Sequence, residues 1–519
     1  MTALRATFTA TRILLGLILA LGLGLRLAIA WTDTSTLVVK TLPDDAFYYF
    51  AIVENALAGR GVTFDGLAPT NGFHPLWALL LLPIFKLSSS RDTAIHVALT
   101  AAALFDAGTI YLAYRAGRRL LANERAGLLA AGLYGLNPRL AMESVNGLET
   151  AVSTLTFALL AYFYLRMSGR RLSEYAALGM LAGLAVWGRT DAIFLAAAVA
   201  LHLLWRRRGA AIVPLLVAGA AGAAMLAPWV LWNLVTFGSP LQTSGMAVPY
   251  VVRTYLFELS GVAGALRVLG PPLYLASVML RALLDYAWLP LAALAAYALM
   301  RLLRRGQPGP IGLWSRWAAP LIGAGLLLAF HTFGRYFVRG WYVVPAAFVL
   351  AVAGGAALAH VQTQLLPLLR VRWAYDAGCS VIILTALIAG GASLWRAGFY
   401  PWQTTMLEAA QWAARETAPT TVIGAFNAGI MGWYAGRPVI NLDGVVSEPA
   451  FAAVRQRRLL AFLHQHHVGM VIDWRSSVEQ TYQPFFEAGY RADLEVQREW
   501  TAPAGASGAW DVLAAYRVR

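Results

Sequence analysis

Arginine sets the frame of this chain. Clusters at Arg115, Arg118, Arg119 and Arg125, at Arg166, Arg170 and Arg171, at Arg206 to Arg208, and at Arg301, Arg304 and Arg305 punctuate long apolar runs. A run of about 20 apolar residues crosses a bilayer, and basic residues collect on its cytoplasmic side. The alternation therefore dictates a polytopic helical membrane protein. The net charge of +15 is this bias and not a nucleic-acid-binding stripe, because the arginines lie in short groups between spans. Only 13% of the 519 residues are charged, against roughly 25% in a soluble domain. The single cysteine, Cys379, excludes a disulfide framework or a cysteine metal site within one chain.

Topology follows from keeping every cluster inside. Arg5 and Arg12 place the amino end in the cytoplasm, and the run from Arg12 to Trp31 reads as the first span, a retained signal anchor. Residues 32–92 then lie outside. Within them Pro75 to Leu87 is apolar, too short to cross and interrupted by Pro83, so an interfacial or re-entrant helix is expected. Counting it as a span would invert every later cluster. The next crossings are expected near 93–114, 126–142, 148–165, 173–187, 191–205 and 211–232. An outer loop of about 40 residues, Asn233 to Pro272, comes next, then spans near 275–300, 317–333 and 341–359. A last span from Ala374 to Trp395 leads out, giving about eleven spans in all.

From Ala397 the composition turns mixed. Short buried strands at Thr421 to Ala425, Pro438 to Leu442 and Val468 to Ile472, with helices at Met406 to Thr417 and Ala450 to His466, predict a small α/β domain. The expected organisation is a membrane body over 1–396 and an extracytoplasmic α/β domain over 397–519. No GxGxxG is present, and His464, His466 and His467 lack zinc-site spacing.

The polar, Gly-marked stretch Pro43 to Trp77, PDDAFYYFAIVENALAGRGVTFDGLAPTNGFHPLW, lies in the first outer loop and is where chemistry is expected. Asp44 opens an aromatic helix with Asp45 beside it; one role is to cap that helix, the other is catalytic. Asp44, Tyr48 and Asn55 fall close to one helical face, a polar strip for substrate. The paired carboxylates either take a proton from an acceptor hydroxyl or, with Glu143, hold a divalent cation such as Mg or Mn. Asp65 in FDG and Asn71 in TNG read as turn residues. His74 in the HP pair is a candidate for a substrate contact. Glu149 in NGLET is an acid on the same outer side and a candidate for a substrate contact. Arg189 in WGRTD, and Arg335 and Arg339 in HTFGRYFVRGW, stand outside against the charge rule. If helical, the last two share a face and suit a lipid phosphate. The segment FGSPLQTSG reads as a flexible lid, and Asp443 in NLDG as a turn at a strand end.

An acid pair in the first outer loop, a later His-Pro and a multi-span body resemble the GT-C class of polyprenyl-phosphate-sugar-dependent glycosyltransferases, including protein O-mannosyltransferases and the lipid A aminoarabinose transferase. DDAFYYF, TNGFHPLW, NGLET and NLDG are similar to a group of bacterial membrane glycosyltransferases. The resemblance implies Asp44 as the catalytic carboxylate with Asp45 supporting it, inversion at the sugar, and a polyprenyl-phosphate-linked donor. The acceptor, whether glycan, lipid or protein, stays open. HPL stands where the mannosyltransferases tend to have HPP, and the WWDYG signature of oligosaccharyltransferases is absent. A glycolipid transporter or flippase is the alternative; it requires functional charges inside the spans. The expected location is the plasma or inner membrane, with the carboxyl-terminal domain extracytoplasmic.

Overall fold

A computed structural model describes residues 2–258, 265–303, 311–365, 388–503 and 510–519. The chain begins with α1 (Thr2–Ala30), α2 (Thr34–Lys40), α3 (Asp44–Leu57) and α4 (Pro75–Leu87). Pro75 opens α4 where its missing N–H costs nothing, and the backbone turns extended at Ser88. Its 13 residues rise about 20 Å, short of a crossing, as the arginine pattern requires.

The body continues with α5 (Arg91–Leu121), α6 (Glu124–Gly135), α7 (Pro138–Ser144), α8 (Thr150–Arg166), α9 (Leu172–Gly188), α10 (Ile193–Arg207) and α11 (Ile212–Phe237). The expected span at 126–142 is broken in two. Asn137 caps α7 through Oδ1, which accepts from Arg139 and Leu140 N–H, and Pro138 cannot continue α6. The loop expected over Asn233 to Pro272 holds α12 (Thr243–Glu258) and the start of α13 (Ala265–Leu303), which kinks at Ala287. Next come α14 (Ile311–Ala329), a π turn at Phe330–Gly334, α15 (Gly340–Leu365) and α16 over 388–397. Residues 335–339 are not helical, so Arg335 and Arg339 do not share a helical face. Most of the expected span from Ala374 to Trp395, together with Cys379, Arg304 and Arg305, lies outside the described residues. Among the described residues six helical stretches are long and apolar enough to cross a membrane; α8 and α9 are shorter.

One ion pair is sealed among these helices. Arg26 of α1 donates Nε to Asp106 of α5 at 2.5 Å and Nη1 to the carbonyls of Gly22 and Gly135, while Tyr134 donates to Asp106 at 2.6 Å. Both charged side chains have no solvent exposure. The pair pins α1, α5 and α6 together.

The tail comprises α17 (Gln403–Glu416), β1 (Val422–Ala425), α18 (Gly429–Tyr434), β2 (Val439–Asn441), α19 (Glu448–Gln456), α20 (Leu459–Gln465), β3 (Val468–Trp474), β4 (Leu494–Thr501) and β5 (Val512–Val518). The helix expected over Ala450 to His466 is split at Arg457, whose φ of 56° is left-handed. The sheet order is β2-β1-β3-β5-β4, with β2, β1 and β3 parallel and β5 antiparallel to both neighbours. One apolar core runs through α3 and α4 into the tail, joining Phe47, Phe50 and Trp77 to Ile423, Met431, Trp433 and Trp474. Gln403 fastens the junction: Nε2 donates to Val38 and Leu42 carbonyls at 2.6 and 2.7 Å, and Oε1 accepts from Asp44 N–H at 2.8 Å.

Candidate active site

Between the membrane body and the tail lies a cleft of about 300 Å³. Its body wall comes from the stretch spanning α3 and the start of α4 (Asp45, Tyr49, His74), from α12 (Ala247, Val248, Val251) and from the segment between α14 and α15 with the start of α15 (Arg335, Arg339, Tyr342). The tail supplies Asn427, Asp443, Ser477, Thr481, Tyr482 and Trp510.

The two opening acids point different ways, and this corrects the expectation for Asp44. Asp44 is buried, and its carboxylate accepts from Gly429 N–H at 3.0 Å and Ile430 N–H at 2.6 Å, capping α18 of the tail. A Cβ on Gly429 would collide with the Asp44 backbone, so only glycine permits this approach. Burial first, with Asp45 and Asp473 nearby, pushes the Asp44 carboxyl up to about 7 despite those two donors. Asp45, the next residue, opens into the cleft and is solvent-exposed there. Neither hydrogen bond nor ion pair holds its carboxylate among the described residues. Lost hydration deep in the cleft raises its carboxyl, and the Arg339 and Arg335 cations oppose that rise.

The strip of Asp44, Tyr48 and Asn55 does share a face, but that face packs on the tail and the following loop. Tyr48 Oη accepts from Ala428 N–H at 3.1 Å, and the residue also lines the cleft. Asn55 donates to Thr63 and Phe64 carbonyls at 2.9 Å and accepts from Arg60; it shapes a turn and lies outside the cleft lining. Asp65 makes the expected turn, accepting from Leu67 and Ala68 N–H.

His74, Glu149 and Arg189 are brought together in one buried network. His74 N–H donates to Tyr49 Oη at 2.9 Å, and Tyr49 donates to Glu149 at 2.8 Å. Arg189 donates Nη1 to Glu149 at 2.9 Å and Nε to Asp191 at 2.8 Å, and His331 Nε2 meets Asp191 at 2.8 Å. The Tyr342 ring lies 4.5 Å from the guanidinium carbon and stacks on His331 at 3.9 Å. His74 Nε2 stands 3.6 Å from Glu149, and burial lowers its imidazole below the ordinary range. Both of Arg189's bonded donors serve carboxylates, so it holds the cleft floor. Arg189→Ala leaves Glu149 and Asp191 buried without their cation, a cost of about 3–5 kcal/mol. The expected result is loss of folded protein in detergent, read as a lowered Tm.

Arg335 and Arg339 are less committed. Arg335 donates Nη2 to Ser244 O at 3.1 Å, and its buried Nε has no partner among the described residues. Arg339 lies 4.3 Å from the Phe337 ring and makes no ion pair among the described residues. Between them Tyr336 is held at φ 55°, a left-handed conformation that costs a non-glycine residue about 1 kcal/mol or more.

FGSPLQTSG is not a free lid. Asn71 donates to Asn233 at 2.9 Å and accepts from Thr243 N–H and Oγ1 at 2.9 and 2.7 Å; Gln242 donates to Phe73 O at 2.6 Å. These bonds pin the start of α12, which then supplies an apolar wall.

The cation pair expected from Asp45 and Glu143 does not form. Glu143 is buried outside the cleft lining, accepting from Tyr286 at 2.5 Å and Asn146 at 3.0 Å. Among the described residues no three of His, Cys, Asp and Glu gather as metal ligands.

Sequence reasoning missed Tyr49, His331 and every tail residue of the cleft except Asp443, which it read as a turn; it paired Arg189 with Asp191, and that ion pair is present. Asp443 lines the cleft, accepts from Val445 N–H at 2.7 Å, and is pushed up to about 8 by burial. Beside the cleft, sharing Phe73, an apolar cavity of about 250 Å³ is lined by Val53, Pro75, Leu79, Trp229 and Trp232.

Helices bearing an acid-containing loop, closed by an α/β tail, make a GT-C-like fold. Residues 73–232 match the family described as dolichyl-phosphate-mannose-protein mannosyltransferase, and residues 395–516 match a domain of unknown function. Among solved structures, the Archaeoglobus fulgidus oligosaccharyltransferase in its apo form superposes with a TM-score of 0.58 at 13% identity, over 95% of this chain and 73% of that one. The same organism's AglB, in complex with an inhibitory peptide and a dolichol-phosphate, gives 0.56 at 15%, over 95% and 73%. ArnT from Cupriavidus metallidurans bound to undecaprenyl phosphate gives 0.56 at 13%, over 96% and 97%. At such identities the likeness is one of fold. No curated protein matches the chain by sequence.

Proposed function

We propose that this protein transfers a sugar from a polyprenyl-phosphate carrier to an acceptor hydroxyl in the cleft, on the extracytoplasmic face. The observation that carries the reading is Asp45: a carboxylate with no bonded partner among the described residues, in a cleft whose same wall holds two arginines that have no carboxylate partner among them. The acceptor oxygen attacks the anomeric carbon as the carbon–oxygen bond to the carrier phosphate breaks. Asp45 takes the hydroxyl proton. The carrier leaves with one more negative charge, and Arg339 and Arg335 stabilise it. One displacement inverts the sugar. The apolar cavity at Phe73, Trp229 and Trp232 suits the carrier's isoprenoid chain. Asp44 is the clasp between body and tail, and Asp45 takes the base role that the sequence suggested for its neighbour.

The flippase alternative needs charges that serve substrate inside the spans. The Arg26–Asp106 pair is instead sealed and bonded within the helix bundle.

Radiolabelled sugar on undecaprenyl phosphate, supplied to membranes containing the protein, tests the reading through loss of label from the carrier and its appearance in product. Arg339→Ala is expected to raise the donor KM about 10–100-fold, the worth of one charge-assisted contact, with a smaller effect on protein yield. Arg339→Lys restores part of this, since lysine keeps the charge without the planar fork. An unchanged donor KM in Arg339→Ala would remove it from the phosphate site.

A further inference from the structure

The tail wall of the cleft has its own logic. Asn427 comes two residues after β1, Asp443 two after β2, and Ser477 three after β3, with Thr481 and Tyr482 following. The three parallel strands thus all deliver their carboxyl ends to the same cleft. β2 and β3 flank β1 on opposite sides, so the chain reverses its winding at β1. In open α/β sheets the crevice outside the strand ends at such a switch point is where ligands sit.

What this crevice offers is unlike the body wall opposite. The body contributes Arg189, Arg335 and Arg339; the tail residues of the cleft include no arginine or lysine. The first N–H groups of α18, where an anion would be drawn, are already taken by Asp44. Asp473 accepts from Asn427 N–H at 2.7 Å and Nδ2 at 3.0 Å, which leaves the Asn427 side-chain oxygen as an acceptor. Asp443 has no ion-pair partner among the described residues. Tyr482 lines the cleft with its ring stacked at 3.9 Å on Phe426, which fixes its plane, and Trp510 stacks on Trp402 at 5.7 Å. A carboxyl group, an amide oxygen, the Ser477 and Thr481 hydroxyls and fixed aromatic rings suit a neutral, polyhydroxylated ring: its hydroxyls for the polar groups, its C–H face for the aromatics. A peptide would pair its main chain along an open strand edge, and here the cleft meets strand ends.

We infer that the tail sheet is the acceptor half of the site and that it holds a carbohydrate hydroxyl acceptor through Asp443, Asn427 and Tyr482. This rests on the transfer reading above and names its acceptor class. Asp443 and Tyr482 are positioning residues for the acceptor; the body arginines hold the donor.

The test uses the full chain in lipid nanodiscs with two acceptor probes, maltotriose and a Ser/Thr-containing octapeptide, and with undecaprenyl phosphate as the donor-side probe. Equilibrium binding is measured for wild type, Asp443→Asn, Tyr482→Ala, Tyr482→Phe and Arg339→Ala. Maltotriose is expected to bind wild type and Arg339→Ala alike, to weaken at least tenfold in Asp443→Asn and Tyr482→Ala, and to recover in Tyr482→Phe. Undecaprenyl phosphate is expected to weaken only in Arg339→Ala. A merely structural role for Asp443 would weaken both probes together, and that overturns the assignment. So does maltotriose binding equal in all variants, or binding of the octapeptide alone, which makes the acceptor a protein hydroxyl. The transfer reading fails separately: maltotriose then binds as expected while labelled donor is not consumed, and the carbohydrate site stands without the reaction.

Discussion

Asp45→Asn is expected to lower kcat for sugar transfer about a thousandfold, the middle of the range for removing a general base. Asparagine keeps the size of the side chain and cannot take the acceptor proton. The fold should tolerate it, because Asp45 is exposed to the cleft and bonded to nothing among the described residues; such replacements usually cost within about 0.5 kcal/mol. Removing a negative charge beside Arg339 and Arg335 leaves those cations to the donor phosphate, so the donor KM should hold or fall. The pH profile gives an independent check. Asp45 works as the carboxylate, and cleft burial raises its carboxyl. The wild-type rate therefore rises with pH along an acid limb lying above the ordinary aspartate range, and the residual rate of Asp45→Asn lacks that limb. A loss below tenfold, at normal protein levels, would pass the base role to Asp443, another acid in the cleft.

Much of the membrane architecture was legible because charge bias and helix length are one-dimensional properties. Arginine placement excluded Pro75–Leu87 as a span, and the structure has a 13-residue helix with those bounds. The grouping of His74, Glu149 and Arg189 on one side also followed from topology. Choosing between Asp44 and Asp45 did not. α3 is buried on nearly every side, so its sequence has no apolar stripe to say which face meets the tail and which meets the cleft. The periodicity grouped Asp44, Tyr48 and Asn55 correctly, and the tail covers that group. Asp191 and His331 are far apart in sequence and meet only by helix packing. β4 was missed because LEVQREWT is largely exposed and carries no apolar run; its pairing with β5 makes it a strand. The places of Asp443 and Asn427 in the cleft became visible only when the parallel order put both strand ends together.

Asp44→Ala is expected to loosen the tail from the membrane body and to abolish transfer through that loss, with Asp45 intact. The carboxylate supplies acceptors for two backbone N–H groups at the start of α18, and its removal buries both donors without partners, at about 1–3 kcal/mol each. Asp44→Asn keeps one oxygen and should cost roughly half as much. The readouts are protease sensitivity of the junction near 397–402 and the Tm of the detergent-solubilised protein, both shifted before any kinetic effect is interpreted. The pH dependence has a definite sign. Burial lifts the docked Asp44 carboxyl to about 7 from an ordinary 3.8, so the docked state binds the proton more tightly than the undocked one. Its contribution is fully present below about pH 4 and is lost as pH rises through 7. Asp443, raised to about 8 by burial at the cleft, acts in the same sense, so wild-type docking weakens from pH 5 to 8 and Asp44→Asn reduces that slope without flattening it. A slope unchanged by Asp44→Asn, or a junction in Asp44→Ala as protease-resistant as wild type, would return Asp44 to the list of catalytic acids. Asp45 would then lose its standing as the sole base, since both members of the pair would be free to act in the cleft.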